Sequence, residues 1–287
     1  MSPFKFAIGD NAKRSSALKN TMTHQQPIGV FDSGIGGLTV LKELLGRLPG
    51  ESFVYFGDTA RVPYGTKSAD AVKRFTRESV RLLLGRGVKM VVIACNTASS
   101  EVLPAFESEF TVPIVGVIEP GVRAAVAATQ RRRIGVIGTP GTIRSGAYQS
   151  KIMARLPDAV VIPQACPLFV PLVEEGWIDT PVTRLVAREY LRVYEKADID
   201  ALVLGCTHYP LLKPVIADVV GEKVALVDSA VETAREVSRV LAERGIAGTG
   251  GGGEFHIVLS DTSPSFGDIA TRFLGRRVPD IELVSVV

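Results

Sequence analysis

Met90-Val-Val-Ile-Ala-Cys95-Asn96-Thr97 has a near duplicate at Ala201-Leu-Val-Leu-Gly-Cys206-Thr207-His208, and this pair of stretches decides the reading of the chain. Each opens on a short apolar run of the kind that forms a parallel strand buried on both faces. Each then delivers a thiol where such strands meet a ligand cleft, at the carboxyl end. The two cysteines, Cys95 and Cys206, lie 111 positions apart, and other segments echo at similar spacing. Ile28-Gly-Val-Phe-Asp32-Ser33-Gly34 recurs 106 positions on as Ile134-Gly-Val-Ile-Gly138-Thr139-Pro140-Gly141, and Val112-Pro-Ile-Val-Gly-Val is answered by Lys223-Val-Ala-Leu-Val-Asp228. The pattern is that of a duplicated α/β unit. Facing halves would set one thiol on each side of a single ligand, and a matched pair of thiols suits an acid and a base.

Further apolar runs fall at Phe53 to Phe56, Val160 to Ile162 and Phe255 to Leu259, with helical stripes between them at Asp70 to Leu84, Pro181 to Tyr194 and Val231 to Leu241. Strand and helix in alternation imply parallel sheets covered on both faces. The expected fold is α/β, with two similar domains, each a parallel sheet flanked by helices, related by a pseudo-twofold axis, and the active site in the cleft between them. The repeat offset sets the halves at 26–118 and 119–229. The tail, 230–287, has no counterpart of its own, so its final helix and strand are expected to complete the first sheet.

With 287 residues and 46% hydrophobic content, the chain can bury a sizeable core. No apolar stretch is long enough to span a bilayer, and the first residues lack a secretory signal, which places the protein in the cytoplasm with no membrane partner. Three widely spaced cysteines do not make a disulfide framework and are expected as free thiols. A formal charge of +3, evenly spread, argues against nucleic acid as the main partner, and Arg131-Arg-Arg133 reads as a solvated turn. Residues 1–25 are polar and aperiodic and read as a flexible N-terminal extension, with Met22 a possible alternative start.

Asp32-Ser33-Gly34-Ile35-Gly36-Gly37 follows one strand and opens the helix Leu38 to Leu48. Its glycines would let a ligand reach backbone N–H groups at a helix N-terminus, so the loop is a candidate carboxylate cradle. A simple helix cap would explain one polar residue of the cluster but not the rest. The third glycine of a dinucleotide fingerprint would fall at Thr39, and no phosphate-loop motif occurs. Gly248-Thr-Gly-Gly-Gly-Gly253 precedes a strand instead of following one and reads as a flexible connection.

A lone buried cysteine is most often a small hydrophobe, but duplication of Cys95 in Cys206 argues for chemistry. His208, two residues after Cys206, can promote a thiolate. Cys166, beside a proline and without polar neighbours, reads as structural. Tyr64-Gly65 is as well explained by a turn as by a ligand contact, and Glu174 and Glu175 read on their own as surface charges at the end of a helix.

Asp32-Ser33-Gly-Ile-Gly-Gly, Pro63-Tyr64-Gly65, Ala94-Cys95-Asn96-Thr97-Ala98 and Gly205-Cys206-Thr207-His208-Tyr209-Pro210 resemble the signature set of bacterial glutamate racemase, in the cofactor-independent aspartate/glutamate racemase superfamily. The resemblance runs from about Pro27 to Arg272-Phe-Leu-Gly275. It implies that Cys95 and Cys206 exchange the Cα proton of glutamate from opposite faces. It further implies that Asp32 serves the Cys95 side, that His208 and Glu174 serve the Cys206 side, and that Asp32, Ser33, Tyr64, Gly65, Asn96, Thr97, Thr139, Thr207 and His208 bind substrate. No cofactor and no metal are implied, the product D-glutamate would feed peptidoglycan, and the protein is expected to form a homodimer. Aspartate is the alternative substrate. Two other readings stay open on the residues alone: an amino-acid sensor without catalysis, and a metal held by Cys95, Cys206 and His208.

Overall fold

The computed structural model describes residues 24–286 apart from 104, 249, 251 and 265, so most of the polar N-terminal extension lies outside the described residues. Among the described residues, ten strands form two wholly parallel sheets. The first comprises β1 (Ile28–Asp32), β2 (Phe53–Gly57), β3 (Met90–Ile93), β4 (Ile114–Gly116), β9 (Phe255–Leu259) and β10 (Ile281–Leu283), in the order β10-β9-β2-β1-β3-β4. The second comprises β5 (Arg133–Gly138), β6 (Val160–Ala165), β7 (Ala201–Gly205) and β8 (Ala225–Asp228), in the order β6-β5-β7-β8.

The four strands β2-β1-β3-β4 and the four strands β6-β5-β7-β8 share one topology, which is the structural counterpart of the sequence echo. Registers match too: Ile28 pairs with Phe53 and Met90, and its counterpart Ile134 pairs with Val161 and Ala201. Central strands β1, β3 and β7 are buried along their whole length, as the uninterrupted apolar runs require. Edge strand β6 is part exposed and tolerates Pro163 and Gln164. In an order of this kind the chain leaves β1 toward one side and returns through β3 on the other, and the crevice between those two carboxyl ends is where ligands bind. Asp32 and Cys95 flank that crevice in the first sheet, Thr139 and Cys206 in the second.

The tail does rejoin the first sheet, β9 against β2 and β10 beyond it. Strand β10 gave no signal of its own, because none of its three residues is fully buried and the central one is a glutamate. The helix Ser229–Arg244, capped by the Asp228 carboxylate and ended by Gly245 at φ 62°, packs on Leu38–Arg47 of the first half and on Ile118–Ala128 of the second. It therefore ties the halves together and is not a simple appendage of either. The glycine-rich connection is held against the loop before β2, with the Gly248 N–H donating to Glu51 Oε1 (2.6 Å) and the Gly253 N–H to Pro49 O (3.0 Å). Glu51 also pairs with the buried Lys89 at 2.6 Å. Among the described residues no helix is long and apolar enough to cross a membrane.

Candidate active site

A cavity of about 390 Å³ lies between the two sheets and takes its wall from both halves. Ser33, Tyr64, Gly65, Cys95, Asn96 and Thr97 line it from the first half, and Thr139, Glu174, Cys206, Thr207 and His208 from the second. Asp32 does not reach this wall. It lies beneath the loop with one oxygen accepting the Gly34 N–H (2.9 Å), and the other buried without a partner among the described residues. Asp32 thus stands behind the Cys95 thiol, and burial raises its own carboxyl above the usual carboxylate range.

The glycine loop also departs from expectation. A Cβ on Gly36 would stand 2.2 Å from Thr207 Oγ1 and 2.5 Å from the His208 ring, and one on Gly37 would stand 2.5 Å from Asp32 Cβ. These glycines serve close packing across the cleft, and only Ser33, Gly34 and Ile35 of the loop face the cavity. The Gly34 N–H is already taken by Asp32, so the loop is not a row of free donors.

Cys95 ends β3 and caps the helix Asn96–Val102, with its Sγ accepting the Ala98 N–H at 3.5 Å and donating to Ser33 Oγ at 3.4 Å. Burial first, and the Asp32 charge second, push its pKa up to about 12, against the pull of those two partners. At neutral pH this group is a thiol. Cys206, at the matching end of β7, faces His208 Nδ1 at 3.8 Å, and His208 Nε2 lies 2.9 Å from Glu174 Oε1. Burial alone would depress the imidazolium; the Cys206 sulfur and the Glu174 carboxylate outweigh it and raise the pKa to about 10. The Cys206 sulfur accordingly has a cation beside it.

Tyr209 explains how these groups meet. Its buried ring packs edge-on against Phe169 (5.2 Å) and its hydroxyl donates to Cys166 O (2.8 Å), which seats the helix Phe169–Glu174 over the turn that carries His208. Glu174 is therefore turned toward the site and reaches His208, although like Glu175 it stays exposed at the surface. The residues around Glu174 carry no local sign of this, because its partner lies 34 positions away; only the family resemblance pointed to it. Cys166 is fully buried, with burial raising its thiol, and does not line the cavity. Among the described residues no group of three or more His, Cys, Asp or Glu is placed to hold a metal ion, so Cys95, Cys206 and His208 share a cavity without converging as ligands.

Thr97 and Thr139, one from each half, meet across the cleft at 2.8 Å, with Thr142 at 3.2 Å from both. Tyr64 is held by Asp58 (2.5 Å), a fully buried carboxylate that also takes Ser260 (3.0 Å). Apolar wall residues went unnoticed in the sequence: Ile35, Val62, Pro140, Pro167, Val170 and Pro171. Nothing distinguishes them from core residues until the fold bends them around a void. Among the described lining residues none is Lys or Arg, so an anionic ligand would meet hydroxyls, an amide, helix N-termini and the His208 cation.

A family model, Asp/Glu/Hydantoin racemase, matches residues 37–237. The glutamate racemase of Geobacter metallireducens is 53% identical over 90% of this chain and 96% of its own, and that of Neisseria gonorrhoeae 49% identical over 91% and 97%. Among solved structures, glutamate racemase isoform RacE1 from Bacillus anthracis superposes with a TM-score of 0.88 at 40% identity, covering 91% of this chain and 98% of its own. The Francisella tularensis enzyme, solved with D-glutamate, gives 0.87 at 37% identity, covering 92% and 98%. The two-sheet fold with its paired strand ends, the facing thiols and these matches together show that the chain belongs to the Asp/Glu/Hydantoin racemase family.

Proposed function

We propose that this protein interconverts L-glutamate and D-glutamate by passing the Cα proton between two cysteines. The observation that carries the reading is that Cys95 and Cys206 end equivalent strands of two sheets of the same order and line one cavity. The neighbours of the two thiols support a direction of use. Cys206, beside the His208 imidazolium, removes a proton from one face of Cα as thiolate, and Cys95, held as thiol, returns one to the other face. Turnover leaves Cys95 as thiolate and Cys206 as thiol, the arrangement for the reverse reaction. The family resemblance assigns abstraction from L-glutamate to Cys206 and from D-glutamate to Cys95.

The carbanion formed at Cα would be stabilised as charge moves into the neighbouring carboxylate, and donors fixed in place against apolar walls do this without reorganising solvent. Ser33, Asn96, Thr97, Thr139, Thr207 and Tyr64-Gly65 are the groups assigned to hold the two carboxylates. Asp32 acts on Cys95 through its charge, and Glu174 acts through His208. Acid and base both come from the chain, so this reading calls for no cofactor and no metal. The halves 26–118 with 230–287, and 119–229, are proposed as the two domains that close on the substrate. A cytoplasmic homodimer supplying D-glutamate for peptidoglycan completes the proposal.

Chirality-resolved turnover of L-glutamate by purified protein in the presence of a chelator tests it. Appearance of D-glutamate, with aspartate turned over far more slowly, is the expected result. Comparable turnover of both acids would remove the substrate claim and leave the thiol chemistry, whereas tight glutamate binding without turnover would identify a sensor.

A further inference from the structure

Asn96 presents a buried amide whose two ends are in different situations. Its Oδ1 accepts a hydrogen bond from the Tyr148 hydroxyl at 2.7 Å, and its Nδ2 is buried with no partner among the described residues. Asn96 is 2% exposed and lines the cavity, so Nδ2 is a donor withheld from protein and solvent alike. An unpaired buried N–H of this kind carries a desolvation penalty that is removed when an acceptor arrives. An amide can satisfy a ligand with either end, and which end it offers depends on what fixes the other.

Tyr148 is well placed to fix it. The residue sits on the helix Ala147–Arg155 of the second half, is fully buried, and reaches across to a residue of the first half. Burial raises its pKa, so the group remains a phenol that can donate, and the Ser229 side chain also interacts with that hydroxyl. Ser229 opens the helix that packs on both halves. The seat is built for the ring: a Cβ on Gly121 would stand 3.1 Å from the Tyr148 oxygen, and one on Gly205 would stand 3.2 Å from its Cε2.

We infer that Tyr148 is a positioning residue, which holds the Asn96 amide with its carbonyl turned away and its N–H₂ aimed at a substrate carboxylate. The inference rests on the proposed glutamate chemistry and deepens it. Because the phenol and the amide come from opposite halves, the donor is correctly oriented only when the halves are in register, which couples carboxylate binding to closure of the cleft. Without the hydroxyl the amide loses its reason to prefer one orientation, and a flipped amide would set its oxygen against the anion. Binding should suffer more than the proton-transfer step, since the carboxylate is an anion in the ground state as well as in the transition state.

The test is steady-state racemisation by wild type, Tyr148→Phe, Asn96→Ala and the double variant, with side-chain amide NMR of the wild type during D-glutamate titration. Tyr148→Phe keeps the ring in its seat. Its KM for glutamate should rise about tenfold, with a smaller fall in kcat. In the Asn96→Ala background Tyr148→Phe should change KM less than twofold, a non-additivity that a general loss of packing would not produce. The Asn96 N–H₂ resonances of wild type should shift on saturation, whether or not Tyr148→Phe folds. Unchanged KM in Tyr148→Phe, full additivity in the double variant, or Asn96 resonances indifferent to bound D-glutamate would each overturn the inference. A wild-type protein that neither binds nor racemises glutamate would overturn the proposed function with it, an outcome distinguishable because it appears before any substitution.

Discussion

His208 and Glu174 form a 2.9 Å contact between imidazole Nε2 and carboxylate Oε1, and the other ring nitrogen faces the Cys206 sulfur. After the Cys206 sulfur, this carboxylate, itself half exposed, is the next contributor to the raised pKa of a buried ring that touches the reacting thiol. Glu174→Gln should lower the His208 pKa from about 10, weaken the cation beside Cys206, and reduce turnover roughly 10-fold to 100-fold with little change in KM. The alkaline limb of the rate profile should move to lower pH in this variant. Wild-type kinetics across the pH range would mean that Glu174 only packs.

The same interaction has a consequence for stability. A ring whose pKa is about 10 when folded, against 6.5 unfolded, contributes stability that is complete below about 6.5 and lost as pH rises through about 10. Denaturant midpoints of wild type and Glu174→Gln should therefore differ most near pH 6 and converge by about pH 10. A difference that grows with pH would contradict the assignment.

Alkylation distinguishes the three thiols. Cys95 is held protonated by burial and by Asp32, and Cys166 is fully buried away from the cavity, whereas Cys206 lines the cavity beside a cation. Limited iodoacetamide at neutral pH, read by peptide mass spectrometry, should label Cys206 first and Cys166 last. Asp32→Asn removes the charge that helps raise the Cys95 pKa, so labelling of Cys95 should accelerate.

Cys95→Ala and Cys206→Ala should each abolish net racemisation in both directions, a loss of at least about 10²-fold to 10⁴-fold by the worth of a general acid or base. Each variant should still exchange the Cα hydrogen of one enantiomer in deuterated water, the one whose proton faces the surviving base. Cys166→Ala should keep near-normal turnover. Racemisation at the wild-type rate by either of the first two would end the two-thiol reading.

Gly36→Ala tests the packing role of the loop. Its new methyl would fall 2.2 Å from Thr207 Oγ1 and against the His208 ring, so the cleft wall must shift. Overpacking of this kind costs about 1–3 kcal/mol, which thermal unfolding should register together with a fall in turnover. An unaffected melting temperature would show that the loop yields freely.

The strands and their duplication were legible in the sequence because a parallel strand covered on both faces must be apolar throughout. Such a run stands out whatever surrounds it, and all nine expected strands are present. The two thiols were legible for a related reason: they sit immediately after those runs, where local order fixes their position at a strand end. Strand β10 was not, since a three-residue edge strand buries too little to constrain its residues.

What the sequence by itself determined, then, is which residues end the buried strands. Only the tertiary structure decided what those residues face. Glu174 reaches His208 across 34 positions, Tyr148 reaches Asn96 across 52, and Thr97 meets Thr139 across 42. It likewise set Asp32 behind the cavity wall and turned Gly36 and Gly37 into packing glycines. Backbone hydrogen bonding and hydrophobic periodicity act between near neighbours and leave a mark in the order of residues. A side chain meeting another across a cleft depends on how two sheets are set against each other, and a single sequence carries no local pattern for that.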